Sequence, residues 1–235
     1  MQRKMHQLQY IPLALPFFLF LVGLFLLLVV LIQIHVLQYA YAKLGLSSGT
    51  ALFLLFASLI GSYFNIPVTE LSEREVMSGR VISAFGMRYV VPVVVDWPRT
   101  VVAVNIGGAV IPGVLSLHLL IKNRVWAPAV IATAFVTIAC YLLAQPVPGI
   151  GIAIPSLIPP MIAAVVALVV ARSNVAAVAY VSGSLGTLIG ADLLNLGRLQ
   201  GLGAPVVSIG GAGTFDGIFL TGILAVLLAS ISGRA

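Results

Sequence analysis

Trp126-Ala-Pro-Ala-Val-Ile-Ala-Thr-Ala-Phe-Val-Thr-Ile-Ala-Cys-Tyr-Leu-Leu-Ala-Gln145 runs for twenty residues without a charge. About twenty predominantly apolar residues are what an α-helix needs to cross the hydrocarbon core of a bilayer. Lys122 and Arg124 stand just before the run. The stretch therefore reads as a transmembrane helix, and it sets the fold class.

Working outward, the same reading recurs. Spans are expected at about Ile11–Leu37, Ser47–Val68, Thr100–Ile121, Gly149–Ala171, Asn174–Leu196 and Thr214–Ser232. The first is too long for a cleaved signal peptide and reads as a retained helix. With Trp126–Gln145 this gives about seven helices in one transmembrane domain, residues 1–235, an all-α polytopic membrane protein. Composition agrees. Of 235 residues, 61% are apolar and 8% are charged, against about a quarter charged in a soluble domain. Mean hydropathy is +1.17. A soluble enzyme, a nucleic-acid binder and a disordered regulator are excluded. The net charge of +6 reads as basic loops beside a membrane. The expected partner is the lipid bilayer, with no nucleic acid.

Orientation follows from the loop cations. On the N-terminal side fall Arg3, Lys4, Arg74, Arg80, Arg88, Arg99 and Arg198; on the other fall Lys43, Lys122, Arg124, Arg172 and Arg234. Positive residues favour the cytoplasm, so the N-terminus is expected inside. Residues 69–99 form an extramembrane segment. There Ser72 and Glu75 fit a capping box for a short surface helix reaching Gly79. Val81–Phe85 and Tyr89–Val95 are β-rich runs around Gly86 and Met87, a possible hairpin, with Pro92 restricting the second run to an edge.

The chain also echoes itself. Val104-Asn-Ile-Gly-Gly-Ala109 and Val207-Ser-Ile-Gly-Gly-Ala212 agree at five of six positions. Upstream lie Ser58-Leu-Ile-Gly61 before Asn65 and Thr187-Leu-Ile-Gly190 before Asn195. Helices two and three thus resemble helices six and seven, as in a parallel duplication. Paired Gly-interrupted helices point to a site at a repeat interface. Gly61 and Gly190 read as packing glycines. Gly210, Gly211 and Gly213 read as broken, Gly-rich backbone at the start of a helix, tolerated at membrane depth only where protein or a wet cavity surrounds it.

Asp192 and Asp216 stand in or against apolar runs, and the first repeat has no acid at the matching positions, Tyr63 and Gly113. An ionisable residue inside a span costs at least about 2.5–3.5 kcal/mol and is a functional hypothesis by default. Two carboxylates that meet cannot easily both ionise, which is the acid/base pairing of aspartic proteases. Simpler roles are also open. Asp216 could stabilise a helix start capped by Thr214; Asp192 could pair with Arg198 or Asn195.

The run Gly190-Ala-Asp-Leu-Leu-Asn-Leu196, with Ser208-Ile-Gly-Gly-Ala-Gly-Thr-Phe-Asp-Gly217 and Asn105-Ile-Gly-Gly, resembles an uncharacterised prokaryotic membrane family, domain of unknown function 1614. In placement alone, Asp192 and Asp216 also resemble the two aspartates of the presenilin-like and signal-peptide-peptidase-like intramembrane proteases. There one lies on the sixth helix and one in Gly-x-Gly-Asp on the seventh. Here Thr214 and Phe215 separate Gly213 from Asp216, Ala191 replaces the Tyr that often precedes the first Asp, and no Pro-Ala-Leu follows.

Two functions follow. One is an intramembrane aspartyl protease acting on a single-span membrane peptide, with Asp192 and Asp216 catalytic near the cytoplasmic face. The other is a proton- or ion-coupled transporter, or small-molecule binding protein, with Asn105, Asn195, Ser208, Gly210, Gly211, Gly213 and Thr214 lining the site. No cofactor or metal is expected. Cys140 is the one cysteine, His6, His35 and His118 do not cluster with the acids, and neither H-E-x-x-H nor a phosphate-binding loop occurs.

Overall fold

The structure is a computed structural model that describes residues 22–30, 36–72, 81–84, 87–90, 99–147, 151–198, 206–211 and 217–231. Helix α1 covers residues 22–30. It is followed by α2 (Val36–Lys43) and α3 (Ser48–Gly61). The Ser47 side chain caps α3 by accepting from Thr50 N at 3.2 Å. Then come strands β1 (Asn65–Ser72), β2 (Val81–Ala84), β3 (Met87–Val90) and β4 (Arg99–Asn105). Helix α4 (Ile106–Asn123) opens on a wide π turn over Ile106–Val110. The remaining elements are α5 (Trp126–Leu143), β5 (Gln145–Val147), β6 (Gly151–Ala153), α6 (Ile158–Val170), α7 (Val175–Arg198), β7 (Val206–Ile209) and α8 (Gly217–Ile231).

Among the described residues, α4, α5 and α7 are long and apolar enough to cross a membrane; α3, α6 and α8 are shorter apolar helices. Helix α7 forms the centre. Every residue from Val175 to Ser184 is buried, so no face of this stretch is left to water or lipid. Around it pack α5 through Ala129, Ala132, Val136 and Cys140, α6 through Ala163, Ala164 and Ala167, and α8 through Ala225, Val226 and Ala229. Small residues bring the backbones close, which is how helices associate where no hydrophobic force separates protein from lipid. A Cβ on Gly186 would lie 2.6 Å from Val136 Cβ, and one on Gly190 would lie 2.8 Å from Cys140 Cβ. Gly190 and Gly61 are thus packing glycines, as read from the sequence. The outward faces are apolar and exposed, among them Phe53, Val114, Phe135, Leu142, Met161 and Val169, which suits contact with acyl chains.

The sheet was not legible beforehand. Residues 65–68 and 100–105, expected inside the second and third helices, are strands. In the sheet, β4 lies between β1 and β7, antiparallel to β1 and parallel to β7. Val101-Val-Ala-Val104 is rich in β-branched residues, which suit a pleated surface better than a helix. Pro67 and a register shift between Pro67 and Thr69 lie in β1, at an edge of the sheet, where both are tolerated. The expected hairpin is present: β2 pairs antiparallel with β3, Ala84 opposite Met87, so Met87 belongs to the strand. A second small pair, β5 with β6, replaces the expected immediate start of the fifth helix at Gly149. The surface helix expected up to Gly79, and Pro92, lie outside the described residues.

Candidate functional site

The three-stranded sheet ends where the helices begin. Its last β1–β4 pair sets Asn65 opposite Asn105. Asn105 is 2% exposed and spends its whole amide. Its Nδ2 donates to Ser62 O at 2.7 Å and to Asn65 Oδ1 at 3.0 Å, and its Oδ1 accepts from Gly108 N at 2.9 Å. The last bond caps the π turn that opens α4. Pro112 lies just beyond that turn. It has no N–H for the carbonyl four residues back, and its ring crowds that carbonyl, so the helix widens before it.

The turn is clamped to α3. Ser58 Oγ donates to Gly107 O at 2.7 Å. A Cβ on Gly107 would collide with Ser58 O and come within 2.5 Å of Ser62 N, and a Cβ on Gly61 would lie 2.9 Å from Gly107 N. Two backbones touch here, and only glycines permit it.

The second glycine pair lies against the first. Ser208 sits in β7 opposite Ala103, and its Oγ donates to Asn65 Oδ1 at 2.5 Å. Asn65 thus links β4 and β7 through one oxygen. Gly210 has φ of +83°, the left-handed region that L side chains avoid. A Cβ there would also lie 2.6 Å from Ala109 N. Gly211 N donates to Ser208 O at 3.1 Å.

Asp192 joins this junction from α7. The helix loosens at its end, with a π turn over Leu188–Asp192 and a tight 3-10 turn over Leu193–Arg198. Asp192 Oδ2 accepts from Gly210 N at 2.6 Å, a charge-assisted bond when the carboxylate is ionised. Arg198 turns elsewhere. It donates to Asn195 Oδ1 at 3.2 Å and stands 5.0 Å from the Tyr141 ring centre. Asn195, wholly buried, donates to Gly190 O at 2.8 Å and Ala191 O at 3.1 Å. It holds the irregular end of α7 together.

Of the candidates from sequence, Asn105, Ser208, Gly210, Gly211 and Asp192 come together. Asn195 lies on α7 but makes bonds within its own helix end. Gly213, Thr214 and Asp216 lie outside the described residues, and so does any pairing of the two aspartates. Asn65 was missed as a site residue, although the echo placed it four residues after Gly61. Ser58 carried no signal beyond that echo, and Ser62 carried none. No group of three or more His, Cys, Asp or Glu side chains that could hold a metal ion occurs among the described residues. Chemically, the junction brings together amides, a hydroxyl, the irregular backbone of two glycine turns and one carboxylate.

A family model described as a protein of unknown function, DUF1614, matches residues 59–228. The chain belongs to that family. The match begins within α3, ends within α8 and takes in both glycine pairs and Asp192. No curated protein and no solved structure matches the chain.

Proposed function

We propose that this member of the DUF1614 family is a seven-span membrane protein of two related parts that binds a small polar solute or ion where they meet. Binding is coupled to the charge of Asp192, as in a proton- or ion-coupled transporter. The observation that carries this reading is the junction itself. The two echoing segments run side by side as parallel strands, and their turns abut with Asn65, Asn105, Ser208 and Asp192 in one hydrogen-bonded neighbourhood. In both turns the second glycine donates to the residue three before it, Gly108 to Asn105 and Gly211 to Ser208. The acceptor is the side chain in the first turn and the main chain in the second, but the shared spacing supports a duplication. Irregular backbone near an acid at a repeat interface is how membrane transporters build binding sites. The cation count favours a cytoplasmic N-terminus, and the resemblance to a prokaryotic membrane family favours a prokaryotic cell membrane.

The test is reconstitution. Proteoliposomes of purified protein under a proton or sodium gradient should show flux that depends on an added solute or ion, and Asp192→Asn should abolish it. Flux at the wild-type level in that variant would sink the coupling role.

One observation favours the paired-aspartate protease as a second reading. Asp192 is bonded to the turn from which the chain continues to Asp216, six residues after Gly210. The edge strand β1, with Ile66 and Val68 exposed, could accept an extended substrate by strand addition. Asp192→Asn and Asp216→Asn should then each abolish cleavage of a single-span substrate. Undiminished cleavage in both would end this reading.

A further inference from the structure

On the outer surface of the helices an open groove of about 410 Å³ lies between the end of α4, one side of α5 and α7, and reaches Ile189 in the π turn of α7. Leu120, Trp126, Val130, Ala134, Ile138 and Leu185 are among its lining residues. Val130, Ala134 and Ile138 follow at every fourth position of α5 and are exposed. The lining is almost wholly apolar, and in a bilayer its natural filling is hydrocarbon.

One end of the groove is marked differently. Leu120 and Trp126 both line it, and the turn between them carries Lys122 and Arg124, both exposed. Tryptophan at the boundary of an apolar span is the side chain that settles at headgroup level. Lys122 spends its Nζ on Gly45 O at 2.7 Å. Arg124, in a left-handed backbone conformation with φ of +52°, is exposed and stands two residues before the groove-lining Trp126. A planar guanidinium matches a phosphate better than an ammonium does. An apolar trough with a tryptophan at one end and an exposed cation beside it has the charge and polarity order of one phospholipid.

We infer that this groove is a binding site for an anionic phospholipid, with an acyl chain along α5 and the headgroup phosphate at Arg124. The headgroup end lies at the α4–α5 connection, and lipid binding there does not depend on what the Asp192 junction does.

The test uses the full chain, purified in mild detergent and offered mixed micelles or vesicles of phosphatidylglycerol or of phosphatidylcholine. Retained lipid is counted by native mass spectrometry. The wild type should retain phosphatidylglycerol over phosphatidylcholine. Arg124→Asn keeps a residue at home in the left-handed turn. It should lower that preference roughly five-fold, the effect of one cation beside an anionic headgroup. Ala134→Phe should fill the trough and reduce retention of both lipids. Equal retention of the two lipids by the wild type would overturn the proposal, as would unchanged retention in Ala134→Phe. If Ala134→Phe instead breaks up an oligomer detected by cross-linking while lipid retention stays the same, the groove seats a helix of a second copy and the lipid site is refuted. Lipid retention and thermal unfolding are read on the same samples, so a variant that fails to fold is recognised as such. Leu120→Phe, at the Trp126 end of the trough, then supplies the second filling variant.

Discussion

The two glycine-pair turns share five of six residues and do different work. Around Asn105 the turn is sealed. The amide caps Gly108, reaches across to Asn65 and Ser62, and the backbone of Gly107 rests on that of Gly61. Around Ser208 the turn is half-open. The backbone passes through a left-handed Gly210, and the free N–H there is taken by a carboxylate from another helix. The one differing residue accounts for part of this. An asparagine side chain is long enough to reach forward to the N–H three residues on. Serine is shorter; its hydroxyl goes sideways to Asn65, and its main-chain carbonyl takes Gly211 N instead. One turn is a clamp and the other an anchorage for an acid.

That asymmetry can be broken by substitution, and the largest effect is expected at Gly107. Gly107→Ala drives a methyl into two backbone atoms that cannot turn aside. Overpacking a rigid site costs about 1–3 kcal/mol or more, and this one sits at the upper end. Thermal unfolding in detergent should show a large fall in Tm, or no folded protein. Full stability in this variant would mean that the α3–α4 contact is looser than described.

Gly210→Ala comes next. It meets left-handed strain of about 1–2 kcal/mol and a collision with Ala109. It should also weaken the bond to Asp192, seen as faster hydrogen exchange at residue 210. Unchanged exchange would show that the carboxylate does not hold this turn.

Asn105→Ala and Ser208→Ala compare the two caps directly. The first strands Gly108 N–H, a buried donor, and removes two more bonds; a buried unsatisfied group costs about 1–3 kcal/mol. The second removes one hydroxyl bond, about 0.5–1.5 kcal/mol. The expected order in Tm is therefore Asn105→Ala well below Ser208→Ala. Equal losses would erase the distinction between clamp and anchorage. Because both side chains meet at Asn65, the double variant should cost less than the sum.

How much of this was legible beforehand varies by element. The Trp126–Leu143 helix and the helical run of α7 follow from uncharged length alone, and the Val81–Val90 hairpin from β-branched runs around a glycine. The central sheet did not. Val101–Val104 is apolar enough for a membrane helix, and hydropathy does not distinguish a buried strand from a buried helix. Only the β-branched content and Asn105 before two glycines hinted at a break. The junction was half legible. The echo identified Asn105 and Ser208, but the register is shifted: Ser208 pairs with Ala103 and not with its counterpart Asn105. Sequence similarity says which residues correspond; it does not say which ones touch. Asn65 therefore became visible only once the strands were laid side by side.

The smallest stability effect is expected at the residue with the most functional weight. Asp192→Asn keeps an oxygen that can accept from Gly210 N–H. It loses the charge-assisted part of that bond, since such bonds are roughly twice as strong as neutral ones. It also removes a charge from a costly position inside a span, and the two changes oppose each other. The net shift should stay within about 1 kcal/mol, far less than that of Asn105→Ala measured in the same detergent. Flux or cleavage, read in parallel, should nevertheless vanish, because both proposed activities use the charge or proton of this carboxyl and not its capacity to accept a bond. If Asp192→Asn lowers Tm as far as Asn105→Ala does, the carboxylate is structural. The second turn would then be a clamp like the first, built with a different cap.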